Sequence, residues 1–162
     1  MIASNVSFVF VDTCIIGNVV KGDCSPEDRS ALSAIMVLPT SQISFGASTL
    51  VREEIEQIPK EYRSAHVGMY DTLRNFPTSD VTWVDESDPS IIASDTRYRR
   101  AQEILSGRTD AHLVVDAVNE QYDYFLTTDY KTVLRHASEV ESEFSIKPVS
   151  PSQLAERWGL DP

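Results

Sequence analysis

Short apolar runs alternate along the chain with amphipathic helical patterns, and this alternation predicts the fold. Residues 6–11 (VSFVFV) are β-branched or aromatic except for Ser7 and are followed at once by Asp12, as expected for a buried strand that ends there. Shorter runs of the same character predict further strands at residues 42–45, 81–84, 124–127 and 144–149.

The helical patterns have start signals of their own. Ser25, then Pro26 and two acids, predicts an N-cap and the first turn of a helix. Thr109 is expected to cap a helix whose apolar residues recur at i, i+3, i+4 and i+7. Other helices are predicted to start near residue 48, to cover residues 62–76 and 96–105, and to run from 150 to 158. This alternation predicts a single α/β domain over residues 1–162, with three layers and a central parallel sheet flanked by helices.

Composition narrows the class of protein. A chain of 162 residues with 41% hydrophobic and 24% charged residues is ordinary for one globular domain. No apolar run is long enough to span a membrane, and the N-terminus lacks the positive region of a signal peptide, so a cytoplasmic location is expected. Cys14 and Cys24 flank a predicted loop without metal-ligand spacing, and are expected to be free thiols.

The net charge of −11 constrains any interaction with nucleic acids, because contacts to phosphate need lysine and arginine. Either the 14 basic residues gather on one face, or bound cations offset the acids. The densest basic stretch holds Arg97, Arg99, Arg100 and Arg108. Most of these are expected on a solvated helix face with local salt bridges, and Arg108 is the candidate for an RNA contact.

Two aspartates follow predicted strands directly, Asp12 after the first strand and Asp129 after the strand at 124–127. In open parallel sheets, ligands bind beyond the carboxyl ends of the strands. An aspartate in such a position is also common as a turn or helix-cap residue. The pattern leaves both readings open for each residue.

Two further acids lie on predicted helices. Glu54 shares a helical stripe with Leu50 and Ile58, whereas Glu53 falls on the solvated face. A carboxylate on an apolar stripe needs a partner, which is either a basic side chain or a metal or catalytic water. Asp110 is predicted to be the first residue of its helix, where the helix dipole favours an acid, and it also borders the apolar face.

Convergence of these four acids would create a site for a hard cation. Carboxylates about 4 Å apart repel by roughly 4 kcal/mol per pair at an effective dielectric constant of about 20. Protonation or a divalent cation relieves that repulsion, and a set of oxygen ligands suits Mg²⁺ or Mn²⁺. Such an ion would lower the pKa of a bound water and stabilise charge on a phosphate. The spacing alone assigns no substrate.

At these residues the chain resembles the PIN domain, in particular the short VapC-type toxins of bacterial toxin–antitoxin pairs. The resemblance extends over essentially the whole chain, and the order and spacing of its motifs are more specific than any one motif. The matching segments are FVDTCII (10–16), STLVREEI (48–55), TDAHLVVDA (109–117), YDYFLTTD (122–129) and SIKPVSPSQL (145–154).

The resemblance implies an Mg²⁺- or Mn²⁺-dependent endoribonuclease on a three-layer PIN-like fold. The residues it implies as metal ligands and catalytic residues are Asp12, Glu54, Asp110 and Asp129. Thr13 and Thr127 match supporting positions beside the first and last acid. The sequence departs from the family at Cys14, where serine is frequent, and at Lys131, where a further acid is sometimes found.

Three hypotheses follow. The first is an endoribonuclease acting on RNA, as the toxin of a toxin–antitoxin pair, inhibited by an antitoxin protein and forming a homodimer. The second is a PIN-like module that binds RNA or protein without cleaving. The third is another phosphotransfer enzyme, such as a receiver domain or a phosphatase of the haloacid dehalogenase type. That phosphatase family needs a second aspartate two residues after the first, where this chain has Cys14.

Overall fold

The computed structural model describes the backbone of residues 6–74 and 89–160 and the side chains of 6–72 and 96–160. Its strands are β1 (Ser7–Val11), β2 (Ile43–Gly46), β3 (Tyr124–Leu126) and β4 (Lys147–Val149). Its helices are α1 (Thr13–Lys21), α2 (Pro26–Met36), α3 (Thr49–Glu56), α4 (Lys60–Arg74), α5 (Pro89–Leu105), α6 (Arg108–Asn119), α7 (Ala137–Phe144) and α8 (Pro151–Arg157). A 3-10 turn, Leu134–His136, precedes α7.

The strands of the described residues form one parallel sheet in the order β2-β1-β3-β4. The chain runs from β1 to β2 on one side and then returns past β1 to β3 on the other. Because crossovers between parallel strands are right-handed, these two connections lie on opposite faces of the sheet. Accordingly α2 packs on α8, while α5 packs on α6 and α7 as a separate group. The predicted three-layer α/β fold is confirmed.

The core is centred on β1, which lies between β2 and β3 in the sheet. Val9, Phe10 and Val11 are fully buried, and the ring of Phe10 stacks on that of Phe125 at 5.4 Å between centroids. Burying a large apolar side chain of this kind stabilises the fold by about 1.5–3 kcal/mol. A strand covered on both faces is therefore apolar at successive positions, as the pattern at 6–11 indicated.

Helix α6 is buried more widely than its predicted stripe. Val114 and Ala117 pack in the main core, whereas Ala111 and Val115 pack with Ala101 of α5 in a second apolar cluster. The helix is thus covered by the sheet on one side and by α5 on another. The four residues of the predicted stripe are divided between these two clusters.

Two predicted helix starts are confirmed and one is wrong. Ser25 caps α2, and Ser150 caps α8 in a capping box with Gln153. Thr109, however, is the second residue of α6, which is capped by Gly107 in an extended conformation (φ −96°, ψ 131°). Asp110 is consequently the third helical residue rather than the first. Its carboxylate bends back toward Gly107, which leaves space because it has no Cβ.

The segment between the cysteines, predicted as a loop, is mostly helix α1. Asp12 caps this helix, Ile15 and Ile16 on it are fully buried, and Gly22 ends it in the left-handed conformation (φ 67°). β-Branched residues lower the helix propensity of the segment. The side-chain cap and the burial of the two isoleucines outweigh that preference.

The strand predicted at 144–149 begins too early. Phe144 is the last residue of α7, which the sequence pattern did not predict, and Ser145 follows with φ 60°. Only Lys147–Val149 pairs with β3. Elsewhere the boundaries differ by a few residues, α5 beginning at Pro89 rather than at residue 96. The strand predicted at 81–84 and the end of the helix predicted at 62–76 lie outside the described residues.

Two further observations concern the cysteines and the helices. Both Cys14 and Cys24 are free thiols, as predicted. Within residues 6–74 and 89–160, no helix combines the length and the apolar character needed to cross a bilayer.

Candidate active site

The site lies where the carboxyl ends of β1 and β3 meet. The connections after these neighbouring strands leave in opposite directions, which opens a crevice at that edge of an α/β sheet. The backbone N–H of Asp12 donates to the carbonyl of Leu126 at 3.0 Å, so the two strand ends are held together. Asp12 and the segment from Thr127 to Asp129 therefore begin the same crevice.

Asp12 is buried, with 5% of its surface exposed, and both carboxylate oxygens accept hydrogen bonds. Oδ1 accepts from the backbone N–H of Thr13 at 2.7 Å, the bond that caps α1. Oδ2 accepts from the hydroxyl of Thr127 at 2.7 Å and from the thiol of Cys14 at 3.4 Å. The carboxylate thus has a fixed orientation at the end of β1.

The environment of Asp12 disfavours its charged form. Burial raises the pKa of Asp12 to about 6, although the hydrogen bonds from Thr127 and Cys14 act in the opposite direction. The negative charges of Asp110 and Glu54 raise this pKa further. Asp110 on α6 and Glu54 on α3 are therefore close enough to Asp12 for their charges to act on it.

Glu54 projects from α3 as the stripe argument predicted. It is half-buried, whereas its neighbour Glu53 is exposed, and Val51 and Ile55 on the same helix are fully buried. The hydroxyl of Thr13 donates to Oε2 of Glu54. Burial raises the pKa of Glu54, the bond from Thr13 lowers it, and the charge of Asp110 raises it. The salt bridge considered as the alternative is not found for Glu54 among the described residues.

Asp110 occupies the first turn of α6. Its pKa is raised by partial burial and by the charge of Asp129. A Cβ placed on Gly107 would lie 3.1 Å from Oδ2 of Asp110, closer than an ordinary van der Waals contact. Gly107 is therefore a residue that the sequence argument missed, and its small size allows the carboxylate of Asp110 to fold back over the start of the helix.

Asp129 is held by the turn after β3. Its backbone N–H donates to the hydroxyl of Thr127 at 3.0 Å, and its Oδ1 accepts from the backbone N–H of Thr132 at 3.0 Å. Thr127 is fully buried and contacts both Asp12 and Asp129. It is the direct link between the first and the last acid of the site.

The four predicted acids thus belong to one electrostatic cluster at the end of the sheet. Their oxygen atoms, with the hydroxyls of Thr13 and Thr127, form a donor set whose chemistry fits Mg²⁺ or Mn²⁺. Among the described residues, however, no three His, Cys, Asp or Glu side chains are arranged as ready ligands of one ion. The donor chemistry fits a hard cation, whereas the side-chain conformations are not those of a preformed binding site.

Cys14 contributes more to the site than its sequence position indicated. Its sulfur contacts Oδ2 of Asp12 at 3.4 Å, the hydroxyl of Thr127 at 3.3 Å and the backbone N–H of Thr128 at 3.4 Å. Burial and the charge of Asp12 raise the pKa of Cys14 to about 12. The group is therefore a neutral thiol that packs behind the carboxylate, where a serine hydroxyl could make the same contacts.

Asp28 is a second buried acid, which the sequence argument assigned only to the first turn of its helix. It is 1% exposed. The sequence contains a pattern that indicates this burial, because residues 28, 31, 32 and 35 form one helical stripe and the last three are apolar. The stripe argument applied to Glu54 would have identified Asp28 as well.

The basic residues near α6 behave largely as predicted. Arg100 forms ion pairs with Glu103 (2.6 Å) and Glu143 (3.1 Å), and Arg97 donates to the side chain of Asn119. Arg108, the first residue of α6, is exposed and forms no ion pair among the side chains of the described residues. It remains the candidate RNA contact.

The histidines and aromatic residues have structural contacts. His66 is buried and its Nδ1 lies 2.8 Å from the carbonyl of Tyr62. His112 stacks on Tyr98, and Tyr124 packs against Trp158. These are packing contacts and a hydrogen bond within the fold.

No protein-family model matches the chain, and no curated protein or solved structure matches it.

Proposed function

We propose that this chain is an Mg²⁺- or Mn²⁺-dependent endoribonuclease with a PIN-like active site. The observation that supports the proposal is the clustering of Asp12, Glu54, Asp110 and Asp129, which come from four separate segments of the chain. The charges of Asp110 and Glu54 raise the pKa of Asp12, and the charge of Asp129 raises the pKa of Asp110. Repulsion between these carboxylates is unfavourable in the metal-free protein. A bound divalent cation would offset that repulsion and would also interact with an RNA phosphate.

The four acids divide into one fixed ligand and three ligands whose side chains have to move before they can hold the cation. When bound, the ion offsets the repulsion between the carboxylates and stabilises charge on the phosphate. Asp12 is fixed by the Thr13 amide and the Thr127 hydroxyl, so it provides the rigid oxygen atoms of the site. Glu54, Asp110 and Asp129 are only half-buried, and their side chains have to rotate for three oxygen atoms to reach one ion.

Recognition of RNA has to overcome the net charge of −11. Arg108 lies two residues before Asp110 on the same helix and is exposed, so it is the proposed contact to a phosphate next to the scissile bond. Because the net charge is strongly negative, binding of RNA should depend strongly on the divalent cation. The proposed substrate is therefore bound weakly without metal.

A matched pair of variants tests the proposal. Glu54→Gln and Glu53→Gln make the same chemical change at adjacent positions, one inside the cluster and one on the exposed face of α3. With Mn²⁺, E54Q should reduce cleavage of single-stranded RNA by at least about a hundredfold, an effect typical of losing a catalytic acid, while E53Q stays near wild type. Asp12→Asn should be as inactive as E54Q. Equal cleavage by wild type, D12N and E54Q would remove the basis for a nuclease.

The second candidate function is a PIN-like module that binds RNA or protein without cleaving it. The absence of a preformed set of metal ligands among the described residues favours this alternative. A thermal unfolding measurement distinguishes the two. A nuclease should gain stability on addition of Mn²⁺ relative to a sample in chelator, and D12N should not. An unchanged melting temperature together with measurable RNA binding would favour the non-cleaving module.

The biological role proposed with the nuclease is that of a toxin inhibited by an antitoxin protein. In this proposal a segment of the partner covers the acidic crevice, and two copies of the chain associate. Co-expression with the product of a small neighbouring reading frame should suppress the RNA cleavage. Light scattering after size-exclusion chromatography measures whether the isolated chain is a dimer.

A further inference from the structure

The carboxylate of Asp28 joins three parts of the fold. Its Oδ1 accepts from the backbone N–H of Ser152 at 3.2 Å and from the hydroxyl of the same residue at 2.7 Å. Its Oδ2 accepts from the phenol of Tyr130 at 2.6 Å. A single buried group of α2 therefore connects the first turn of α8 with the turn that follows β3.

These hydrogen bonds have to stabilise a carboxylate that burial would otherwise disfavour. Asp28 is 1% exposed, and an ionised group away from water needs partners for its lone pairs. The two donors of Ser152 lie on α8, whereas Tyr130 is the residue after Asp129. The bond from Tyr130 therefore connects Asp28 to the turn that carries Asp129.

Tyr130 acts mainly through its hydroxyl group. Its surface is 54% exposed, so its ring contributes little to the core, yet its oxygen reaches a buried carboxylate. The phenol is the donor in this bond, because a carboxylate oxygen of Asp28 can only accept. Removing this one oxygen should leave the packing intact.

The residue on the other side of Asp129 is also attached. The hydroxyl of Thr128 donates to the side chain of Asn18 on α1 at 2.6 Å, and Asn18 in turn donates to Asp23 at 2.9 Å. Asp129 itself accepts from the backbone N–H of Thr132. Both neighbours of Asp129 in sequence are therefore attached to helices, Thr128 to α1 and Tyr130 to α2.

We infer that the hydrogen bond from Tyr130 to Asp28 is a positioning contact, which holds the turn after β3 so that Asp129 faces the other three acids. The metal-binding part of this inference rests on the proposed function. The positioning itself depends only on the hydrogen bonds of Asp28 and of the turn. Tyr130 and Asp28 are positioning residues, because neither side chain needs to touch an ion or a phosphate.

The test compares two variants that each remove one hydroxyl donor from the same carboxylate. Tyr130→Phe removes the bond to the turn, and Ser152→Ala removes one of the two bonds to α8. The first measurement, on the metal-free protein, is amide hydrogen exchange by NMR at Thr132, whose N–H is bonded to Asp129. Y130F should accelerate this exchange by about tenfold, whereas S152A should change it by less than about twofold.

The second measurement is the affinity for Mn²⁺ by calorimetry. Y130F should weaken binding by about tenfold, S152A should have little effect, and Y130F should add nothing in an Asp129→Asn background. Unchanged exchange at Thr132 in Y130F would overturn the inference. Equal acceleration in Y130F and S152A would do the same, since it would indicate general loosening of the fold.

The two proposals fail differently. If wild type binds no Mn²⁺ and cleaves no RNA while Y130F still accelerates exchange at Thr132 selectively, the nuclease is refuted and the positioning contact stands. If wild type binds Mn²⁺ and cleaves RNA while Y130F alters neither exchange nor affinity, the positioning contact is refuted and the nuclease stands.

Discussion

Replacing Asp12 with asparagine should change how the stability of the metal-free protein depends on pH. Burial, together with the charges of Asp110 and Glu54, raises the pKa of Asp12 from 3.8 to about 6 in the folded state. The folded protein therefore binds this proton more tightly than the unfolded chain. The stability contributed by Asp12 is fully present below pH 3.8 and is lost as the pH rises through about 6.

The size of the effect follows from the two pKa values. A rise from 3.8 to about 6 corresponds to about 3 kcal/mol of the free energy of unfolding between acid and neutral pH. Asparagine stays neutral throughout, but it has one acceptor oxygen where Asp12 uses two. Loss of one hydrogen bond costs about 1 kcal/mol at every pH. D12N should therefore be about 0.5 kcal/mol less stable than wild type at pH 4, where Asp12 of the unfolded chain is already partly ionised, and about 2 kcal/mol more stable at pH 7.5.

Urea unfolding followed by circular dichroism measures this difference, in chelator and at several values between pH 4 and pH 7.5. Asp71→Asn is the matched control, because Asp71 lies exposed on α4 and the chemical change is the same. D71N should differ from wild type by a small amount that hardly varies with pH. A difference between D12N and wild type that stays constant over the same range would refute the electrostatic account of the site.

Two further predictions concern residues around the cluster. Gly68 lies at an exposed helical position where an added Cβ meets no atom within 4 Å, so Gly68→Ala should stabilise the protein by about 0.5–1 kcal/mol. Gly107→Ala should instead crowd the carboxylate of Asp110, so it should give no gain in stability and should reduce RNA cleavage. Equal gains in stability without loss of cleavage would contradict the role given to Gly107. The pKa of Cys14 is raised from 9.0 to about 12, so this residue should carry about a thousandfold less thiolate than an ordinary cysteine. Cys14 should therefore react with iodoacetamide far more slowly than Cys24, and mass spectrometry can follow both reactions. Similar labelling rates for the two thiols in the native protein would show that Cys14 is not enclosed.

Local patterns in the sequence predicted the four described strands, although β4 begins later than expected, and they separated Glu54 from Glu53. A buried parallel strand has to be apolar at successive positions, so residues 6–11 predict β1 without knowledge of its neighbours. The spacing of Glu54 against Leu50 and Ile58 distinguishes it from Glu53, and the structure places these two glutamates on different sides of α3. Helix α1 was predicted as a loop because its β-branched residues lower its helix propensity, and its helical state depends on a cap and on burial.

What only the tertiary structure decided is which side chains meet. Thr127 and Asp12 are 115 residues apart in sequence, and their contact requires β3 to pair with β1 in one register. The same holds for Asp28 and Ser152, separated by 124 residues and joined only because α2 packs on α8. Periodicity reports the face on which a residue lies, since it arises from the geometry of one element. Contacts between elements depend on strand order and packing, which no single element encodes.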